Sequence, residues 1–299
     1  MSFDPIGFLR AAEVLPAAAE ARAQRLEGGY WNEVVRVRCG ADDLVVKHFG
    51  GTRVASTLVP ILPESEARAL EILAGRAVAP DPVGFWPAGD EHGAVLVYRY
   101  VPGEMWQGDV VEAAALLRRV HAVAPDGFRA LPVTPEEVLA DADRLPRPHA
   151  GDAAWRRLQA VRPAPRPVPE LSRRSLVHAD FSAGNMISGP EGARAIDWQC
   201  PGAGDPAEDL WSFLAPCFQI VYDRLPWRSG DIARFRDAYG ETATLARLDA
   251  MTPFFSYRYA AYSVFRTAQL AEIDEAASDR YRRCAEAETL MLESLMTTG

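Results

Sequence analysis

Three polar residues, Asp180, Asn185 and Asp197, stand in the stretch SLVHADFSAGNMISGPEGARAIDWQ at spacings that apolar packing does not require. An Asp followed five residues later by an Asn, and then by a second Asp beyond a hairpin, is the arrangement in which a base orients a hydroxyl group while an Asn and an Asp hold Mg²⁺ on nucleotide phosphates. Hard oxygen ligands of this kind suit Mg²⁺. The pattern therefore indicates phosphoryl-transfer chemistry.

Short apolar runs at 175–177, 185–187 and 194–196 surround these residues. They flank the tripeptide His178-Ala179-Asp180 and a Gly-Pro-Glu-Gly turn, which predicts a strand, a loop and then a β-hairpin. The hairpin would set Asn185 at the start of one strand and Asp197 at the end of its partner, both near the loop that presents Asp180.

Three short motifs of this region match one kinase superfamily in order and spacing. They are His178-x-Asp180-x-x-x-x-Asn185, Ile196-Asp197-Trp198 and Gly204-Asp205-Pro206-x-x-Asp209-Leu210. Together they resemble the aminoglycoside phosphotransferase and choline kinase superfamily of small-molecule kinases. The resemblance implies an α+β, bilobal, protein-kinase-like fold, with a small antiparallel β-sheet and one key helix in the N-terminal lobe and a larger, mainly helical C-terminal lobe. It places a nucleotide-binding lobe with an N-terminal helix at 1–101, and the catalytic loop (175–210) and an acceptor-binding subdomain within 102–299.

The same resemblance implies a role for each polar residue of the motif. Asp180 would accept or orient the proton of the acceptor hydroxyl, and His178 would position the loop. Asn185 and Asp197 would coordinate Mg²⁺. The implied reaction moves the γ-phosphoryl group of ATP, or of GTP, to a hydroxyl of a small molecule.

Lys47 lies inside an apolar segment, LVVKHF, which predicts the second strand of a hairpin. A buried lysine is costly unless it is paired. By analogy with the lysine–glutamate pair of protein kinases, Lys47 would hold phosphates and Glu66, on a predicted helix at 63–73, would hold Lys47. Glu64 and Glu71 are competing partners, and the alternative is an edge-strand lysine that points to solvent.

Two further segments gain a role only from the resemblance. In the segment Gly-Gly-x-x-Asn, Gly29 and Asn32 would cap the nucleotide phosphates, although most Gly-Gly pairs are turns. The carbonyl of Arg99 and the amide of Val101 would bind the adenine edge, with Tyr98 beside the base. A strand that ends in Pro-Gly is also common for structural reasons alone.

Several positions separate this chain from related kinases. Ser182 stands where protein kinases place a lysine, and no Ala-Pro-Glu segment follows, which disfavours a protein substrate. Ala179 replaces the glycine usual in the small-molecule kinases, and residues 181–184 replace their frequent aromatic-His-Pro-Gly run. Asp205 and Asp209 are expected to cap the following helix and to brace the catalytic loop.

Composition excludes several function classes. The 299 residues are 48% hydrophobic and carry a net charge of −9, which argues against nucleic acid or an anionic membrane surface as the main partner. The four cysteines are scattered and form no C-x-x-C pair, so we expect reduced, mostly buried thiols. No signal-like N-terminus and no apolar stretch near 18 residues is present, which predicts a cytoplasmic protein without membrane spans.

The remaining chain is predicted to be largely helical. The alanine-rich stretch 4–24 indicates one or two amphipathic helices, and further helices are expected at 110–122, 134–145 and 152–161. Alternating prolines at 162–169 favour an extended spacer.

Beyond residue 210 the sequence predicts helices rich in aromatic residues. The resemblance implies that the acceptor binds between these helices and the catalytic loop, with 110–161 also contributing to specificity. Acidic residues at the pocket would indicate a polyamine such as an aminoglycoside, whereas an aromatic cage would indicate a quaternary amine. Choline or ethanolamine, homoserine and amino sugars stay open as acceptors, as does a nucleotide-binding pseudokinase without activity. The oligomeric state is not indicated by the sequence.

Overall fold

A computed structural model describes residues 3–26, 32–50, 58–89, 92–147 and 152–297. The chain divides into two compact units, and both are discontinuous in sequence. The first contains the described residues up to 50, Pro60–Glu104 and Ile187–Cys200, and the second contains Met105–Met186 and the chain from Pro201 onward. The predicted division of the chain at residue 101 stays a prediction. The order of elements along the chain did not indicate that residues 187–200 return to the first unit.

The described residues form ten strands and ten α-helices. In chain order they are α1 (Pro5–Ala11), β1 (Arg22–Arg25), β2 (Glu33–Cys39), β3 (Asp42–Phe49), α2 (Pro63–Leu73), β4 (Pro82–Trp86), β5 (Ala94–Arg99), β6 (Glu104–Met105), α3 (Val110–His121), α4 (Pro135–Asp143), α5 (Ala153–Ala160), β7 (Ser175–Val177), β8 (Met186–Gly189), β9 (Gly192–Ala195), β10 (Gly202–Gly204), α6 (Pro206–Leu214), α7 (Pro216–Val221), α8 (Ser229–Tyr239), α9 (Thr242–Leu270) and α10 (Glu275–Thr297).

The first unit is organised around a five-stranded antiparallel sheet in the order β1-β2-β3-β5-β4. Strand β3 is central, and its residues Leu44 to Lys47 are all buried. Alternating apolar residues of β2, such as Val35 and Val37, pack with β3 and β5 into one core. The sheet therefore places Lys47 on an interior strand and not on an edge.

The helix prediction for 4–24 was too long. Helix α1 covers only seven residues, capped by the Asp4 side chain, which accepts hydrogen bonds from the amides of Ile6 and Gly7. Residues 22–25 form β1, which pairs with β2 in the register Arg22↔Arg38. At this edge of the sheet, hydrogen bonding of residues 22–25 to β2 outweighs their local preference for a helix.

The second unit is mainly helical, as predicted. Helices α9 and α10 are its longest, at 29 and 23 residues. The helix expected at 134–145 forms as α4. It begins with a capping box, in which the Thr134 side chain accepts from the Glu137 amide while the Glu137 side chain accepts from the amide of Thr134. Two short strands, β7 and β10, pair as a separate small sheet in this unit.

These observations confirm the α+β class, with an antiparallel sheet in one unit and helices in the other. The four cysteines, Cys39, Cys200, Cys217 and Cys284, are buried free thiols, as expected. Within the described residues, no helix is both long and apolar enough to cross a membrane.

Candidate active site

A buried charge cluster lies in the first unit at the middle of β3. Lys47 pairs in register with Val34 of β2 and Leu96 of β5, and only 3% of its surface is exposed. Its Nζ donates to both carboxylate oxygens of Glu66 at 2.8 Å and to Oδ1 of Asp197 at 2.5 Å. The structure therefore brings together three of the residues that the sequence singled out.

The phase of α2 selects Glu66 as the partner of Lys47. Glu66 is buried on the side of the helix that also buries Ala67, Leu70 and Leu73, whereas Glu64 and Glu71 are exposed. Because an α-helix has 3.6 residues per turn, only one of these three glutamates lies on the buried face of α2. The alternative of a solvent-facing lysine is thereby excluded by the structure.

Burial and charge compete within this cluster. Burial favours the neutral form of Lys47, but the charges of Asp197 and Glu66 outweigh it and raise the pKa of the lysine. Burial raises the pKa of Glu66 to about 7, with the positive charge of Lys47 acting in the opposite direction. The ammonium group is thus held in its charged form between two carboxyl groups.

Asp197 follows the β8–β9 hairpin and has a left-handed backbone, with φ of +61°. The segment around it is fixed by backbone bonds within the first unit. The Ala195 amide donates to the carbonyl of Val78 at 2.8 Å, and the Gln199 carbonyl accepts from Leu62 at 2.9 Å. The side chain of Asp197 keeps 37% exposure, so part of its carboxylate faces solvent.

The other predicted nucleotide contacts lie in the same unit but stay predictions. Asn32 is buried just before β2, and Gly29 lies outside the described residues. Arg99 ends β5, where its amide donates to the carbonyl of Asp81 at 2.8 Å, and Val101 follows two residues later. No ligand contact of these residues is tested.

In the second unit, the catalytic-loop motif forms a compact hydrogen-bonded turn. The side-chain amide of Asn185 donates to the backbone carbonyl of Asp180 at 2.8 Å and to its carboxylate at 3.2 Å. Asn185 ends a single 3₁₀ turn, Ala183–Asn185, and β8 begins at the next residue. The five-residue spacing thus lets Asn185 set the orientation of Asp180.

Asp209 braces the same loop from α6, as predicted. Its two carboxylate oxygens accept the successive amides of His178 and Ala179 at 2.8 and 2.9 Å. Asp205 caps α6 by accepting from the amide of Ala207 at 3.0 Å. The brace matters because Ala179 has φ of +64°, a left-handed conformation that favours glycine.

His121 supports this brace, a contact that sequence analysis missed. Its Nε2 lies 3.1 Å from the carboxylate of Asp209, and its Nδ1 lies 3.0 Å from the hydroxyl of Tyr239. Since the carboxylate can only accept, Nε2 carries the proton in this contact. The position of His121 near the end of a predicted helix gives no indication of this contact.

Four aromatic residues of the helical region approach the loop and were not distinguished from the core by the sequence. Tyr222 lies 3.4 Å from the Asn185 side-chain oxygen, and the Tyr259 hydroxyl donates to the Ala179 carbonyl at 3.3 Å. The rings of Tyr262 and Tyr281 contact each other edge to face, with centroids 6.0 Å apart. Burial raises the pKa of both of these phenols, and the charge of Asp180 acts in the same direction.

Arg266 brings a buried positive charge to the same group of tyrosines. It is 4% exposed, and its guanidinium lies over the Tyr281 ring at 5.3 Å. By contrast, the acidic residues that the sequence offered for a polyamine pocket lie at the surface or at helix ends. They are Asp223, Asp231, Glu272, Asp274, Glu275 and Asp279.

The donor atoms of Asn185 and Asp197 fit a magnesium ion chemically, because an amide oxygen and a carboxylate are the hard ligands that Mg²⁺ prefers. Among the described residues, no group of three His, Cys, Asp or Glu side chains could hold a metal by itself. Mg²⁺ is usually held by one or two carboxylates together with waters and substrate phosphates, so a set of three such side chains is not required.

Known proteins share part of the sequence and the fold of this chain. A thiamine kinase of Escherichia coli is 34% identical over 118 residues, which are 38% of this chain and 41% of that kinase, so the aligned part spans about two fifths of the relative's length. A choline kinase of Streptococcus pneumoniae superposes with a TM-score of 0.62 at 17% identity, covering 95% of this chain and 97% of that one.

A spectinomycin phosphotransferase solved with ADP and spectinomycin superposes with a TM-score of 0.64 at 14% identity, covering 98% of this chain and 99% of that one. These superpositions confirm the protein-kinase-like fold. Residues 22–254 match the phosphotransferase enzyme family. Because this match covers most of the sequence, the chain belongs to that family.

Proposed function

We propose that this protein is a small-molecule kinase, which transfers the γ-phosphoryl group of ATP to a hydroxyl group of its acceptor. The observation that carries the proposal is the buried Lys47, whose Nζ is held between Glu66 and Asp197. Glu66 fixes the position of this buried ammonium group, which can then donate to a ligand with dense negative charge, such as a polyphosphate.

In the proposed mechanism, the first unit holds the nucleotide. Lys47 donates to the α- and β-phosphate oxygens while Glu66 keeps the ammonium group in place. Arg99 and Val101 pair through their backbones with the adenine edge, and Gly29 and Asn32 cover the phosphates. Residues 1–101 would thus supply most of the nucleotide-binding lobe.

In the second unit, Asp180 orients the acceptor hydroxyl and takes its proton as the bond to phosphorus forms. Asn185 fixes the Asp180 carboxylate, and Asp209 with His178 holds the backbone of the loop. The side-chain oxygens of Asn185 and Asp197 are the ligands that would hold Mg²⁺. When bound, Mg²⁺ neutralises charge on the phosphate oxygens during transfer.

The acceptor is proposed by class only. The tyrosines around the catalytic loop and the surface position of the acidic residues favour a compact acceptor with a flat or apolar body over a polyamine held by carboxylates. Thiamine, choline, ethanolamine, homoserine, amino sugars and aminoglycosides together cover the acceptors of related kinases and those left open by the sequence.

The test is acceptor-dependent release of ADP from Mg-ATP, measured across that panel with the wild type beside Asp180→Ala. We expect one acceptor class to stimulate ADP release, and the variant to lower kcat by about 10²- to 10⁴-fold, the usual range for a general base. Nucleotide affinity, measured by calorimetry, should change little because Asp180 acts on the acceptor.

Wild-type turnover in Asp180→Ala would contradict the assignment of the base. A wild-type protein that binds Mg-ATP and leaves every acceptor unphosphorylated would instead support a nucleotide-binding pseudokinase.

A further inference from the structure

Tyr222 occupies an unusual position for an aromatic residue at a helix end. It follows α7, remains 39% exposed, and places its hydroxyl 3.4 Å from the side-chain oxygen of Asn185. Its ring also lies directly against Gly184, where a Cβ atom would overlap three atoms of the ring. Tyr222 therefore contacts two consecutive residues of the catalytic loop.

The amide group of Asn185 is held from both ends. Its nitrogen donates to the carbonyl and carboxylate of Asp180, while its oxygen faces the Tyr222 hydroxyl, which can donate to it. A flipped amide would set its oxygen against the two oxygens of Asp180 and would lose these bonds. The two contacts thus fix which atom of Asn185 is presented as a ligand.

Tyr222 is itself anchored to buried parts of the second unit. Its amide donates to the Gln219 carbonyl at 3.3 Å, and the buried side chain of Gln219 donates to the carbonyl of Phe213 at 2.9 Å. Two residues later, Arg224 donates to the carbonyl of Trp106 at 2.5 Å. The backbone that carries the Tyr222 ring is therefore held by hydrogen bonds on both sides of this residue.

We propose that Tyr222 is a positioning residue, which fixes the side-chain oxygen of Asn185 for the metal–nucleotide complex, and that Gly184 is required so that the ring can lie there. This inference rests on the proposed function. It adds a residue of the helical region to those that position the proposed metal ligand Asn185. Outer-shell partners of metal ligands typically change metal affinity or activity by 10- to 100-fold when they are removed.

The test uses Mn²⁺ as a spectroscopic probe, with its affinity for the ADP-bound protein measured by electron paramagnetic resonance. Because the hydroxyl contact is long, we expect Tyr222→Phe to weaken Mn²⁺ binding by about 10-fold, at the lower end of that range. Gly184→Ala should displace the ring and give a similar loss. In a Tyr222→Ala background, Gly184→Ala should add almost nothing, since the ring it would displace is gone.

Two controls bound the result. Leu225 is 87% exposed and lies three residues after Tyr222, between α7 and α8, so Leu225→Ala should leave Mn²⁺ affinity unchanged. Asn185→Ala should weaken Mn²⁺ binding more than any Tyr222 variant. Thermal unfolding of each variant identifies losses that come from misfolding.

If Tyr222→Phe bound Mn²⁺ as tightly as the wild type, this inference would be overturned and the proposed function would still stand. The same would hold if Tyr222→Phe raised the KM of the acceptor and changed nothing else. Additive losses from Gly184→Ala and Tyr222→Ala would also overturn it. If the wild-type protein bound ADP equally well with and without metal, that result would contradict the proposed function, and this inference would be overturned with it.

Discussion

At the scale of single residues, the backbone of Ala179 explains a departure from the family pattern. The resemblance to small-molecule kinases predicts glycine here. The φ of +64° gives the physical reason, because a left-handed conformation costs a non-glycine residue roughly 1–2 kcal/mol. The two hydrogen bonds from His178 and Ala179 to Asp209 hold this conformation in place. The loop therefore keeps its shape without glycine, at a cost in conformational energy.

Substituting Ala179→Gly should accordingly raise the free energy of unfolding by up to about 1 kcal/mol, since relief of the left-handed strain exceeds the entropy that glycine loses on folding. Ala183→Gly is the matched control, because Ala183 is buried in the same loop and has no positive φ. It should lower stability by about 0.5–1 kcal/mol. Denaturant unfolding measures both, and equal losses in the two variants would contradict the argument.

Residue chemistry was predictable from the sequence wherever a costly group needed a partner. A lysine within an apolar strand required a carboxylate, the sequence offered three glutamates on the following helix, and the phase of that helix places Glu66 against Lys47. The contacts of Tyr222 and His121 could not be predicted in this way. Each joins residues at least 37 positions apart, and neither an aromatic ring nor a single histidine indicates its partner in advance.

At the scale of elements, a buried ion pair joins α9 to α6 behind the catalytic loop. Arg258 is 1% exposed and donates to the carboxylate of Glu208, which is also buried. Burial raises the pKa of Glu208, while the nearby Arg258 opposes this shift. The two helices are thus joined by a buried pair in which each charge is the main counterion of the other, with Asp141 3.9 Å from the Arg258 guanidinium.

We expect Arg258→Met to lower the free energy of unfolding by about 3–5 kcal/mol, the usual cost of leaving one partner of a buried pair unpaired. Arg258→Met combined with Glu208→Gln should recover part of this loss, because the carboxylate that Arg258 neutralised is then also gone. Chemical denaturation of both variants checks the order. A double variant less stable than Arg258→Met would contradict the argument, because it would show that the unpaired Glu208 carboxylate is not the main source of the loss.

Elements were predictable where local patterns and tertiary structure agree. The alternation of apolar residues in β2 is typical of the strand that forms there, and the residues Thr134 and Glu137 are typical of the helix start that forms at α4. The N-terminal stretch was misread because alanine-rich residues favour helix locally, whereas 22–25 gain more by pairing with β2. The return of 187–200 to the first unit depends on long-range packing that linear order does not encode.

At the scale of the whole molecule, the distribution of negative charge links stability to pH. The net charge is −9, yet three glutamates, Glu66, Glu208 and Glu288, are buried and have raised pKa values. Glu66 and Glu208 each have a basic partner. Glu288 instead accepts the Cys217 amide at 3.0 Å, and burial raises its pKa to about 7.

The sign of the resulting pH dependence follows from proton binding. Between its ordinary pKa of 4.5 and the native value of about 7, Glu288 holds a proton in the folded protein and has lost it in the unfolded chain. Stability therefore falls as pH rises through this window and levels off above it. The full difference corresponds to about 3 kcal/mol, at 1.36 kcal/mol per pKa unit.

Substituting Glu288→Gln should remove this contribution, because the amide keeps an oxygen to accept from Cys217 but has no proton to lose in this range. We expect the unfolding free energy of the wild type, relative to the variant, to fall by up to about 3 kcal/mol between pH 4.5 and 7. Denaturant titrations at half-unit pH steps measure this difference, with the exposed Glu286→Gln on the same helix as the charge-matched control. A difference that stayed constant with pH would mean that Glu288 is ionised in the folded protein throughout, and that the amide of Cys217 and its neighbours stabilise the carboxylate enough to offset its burial.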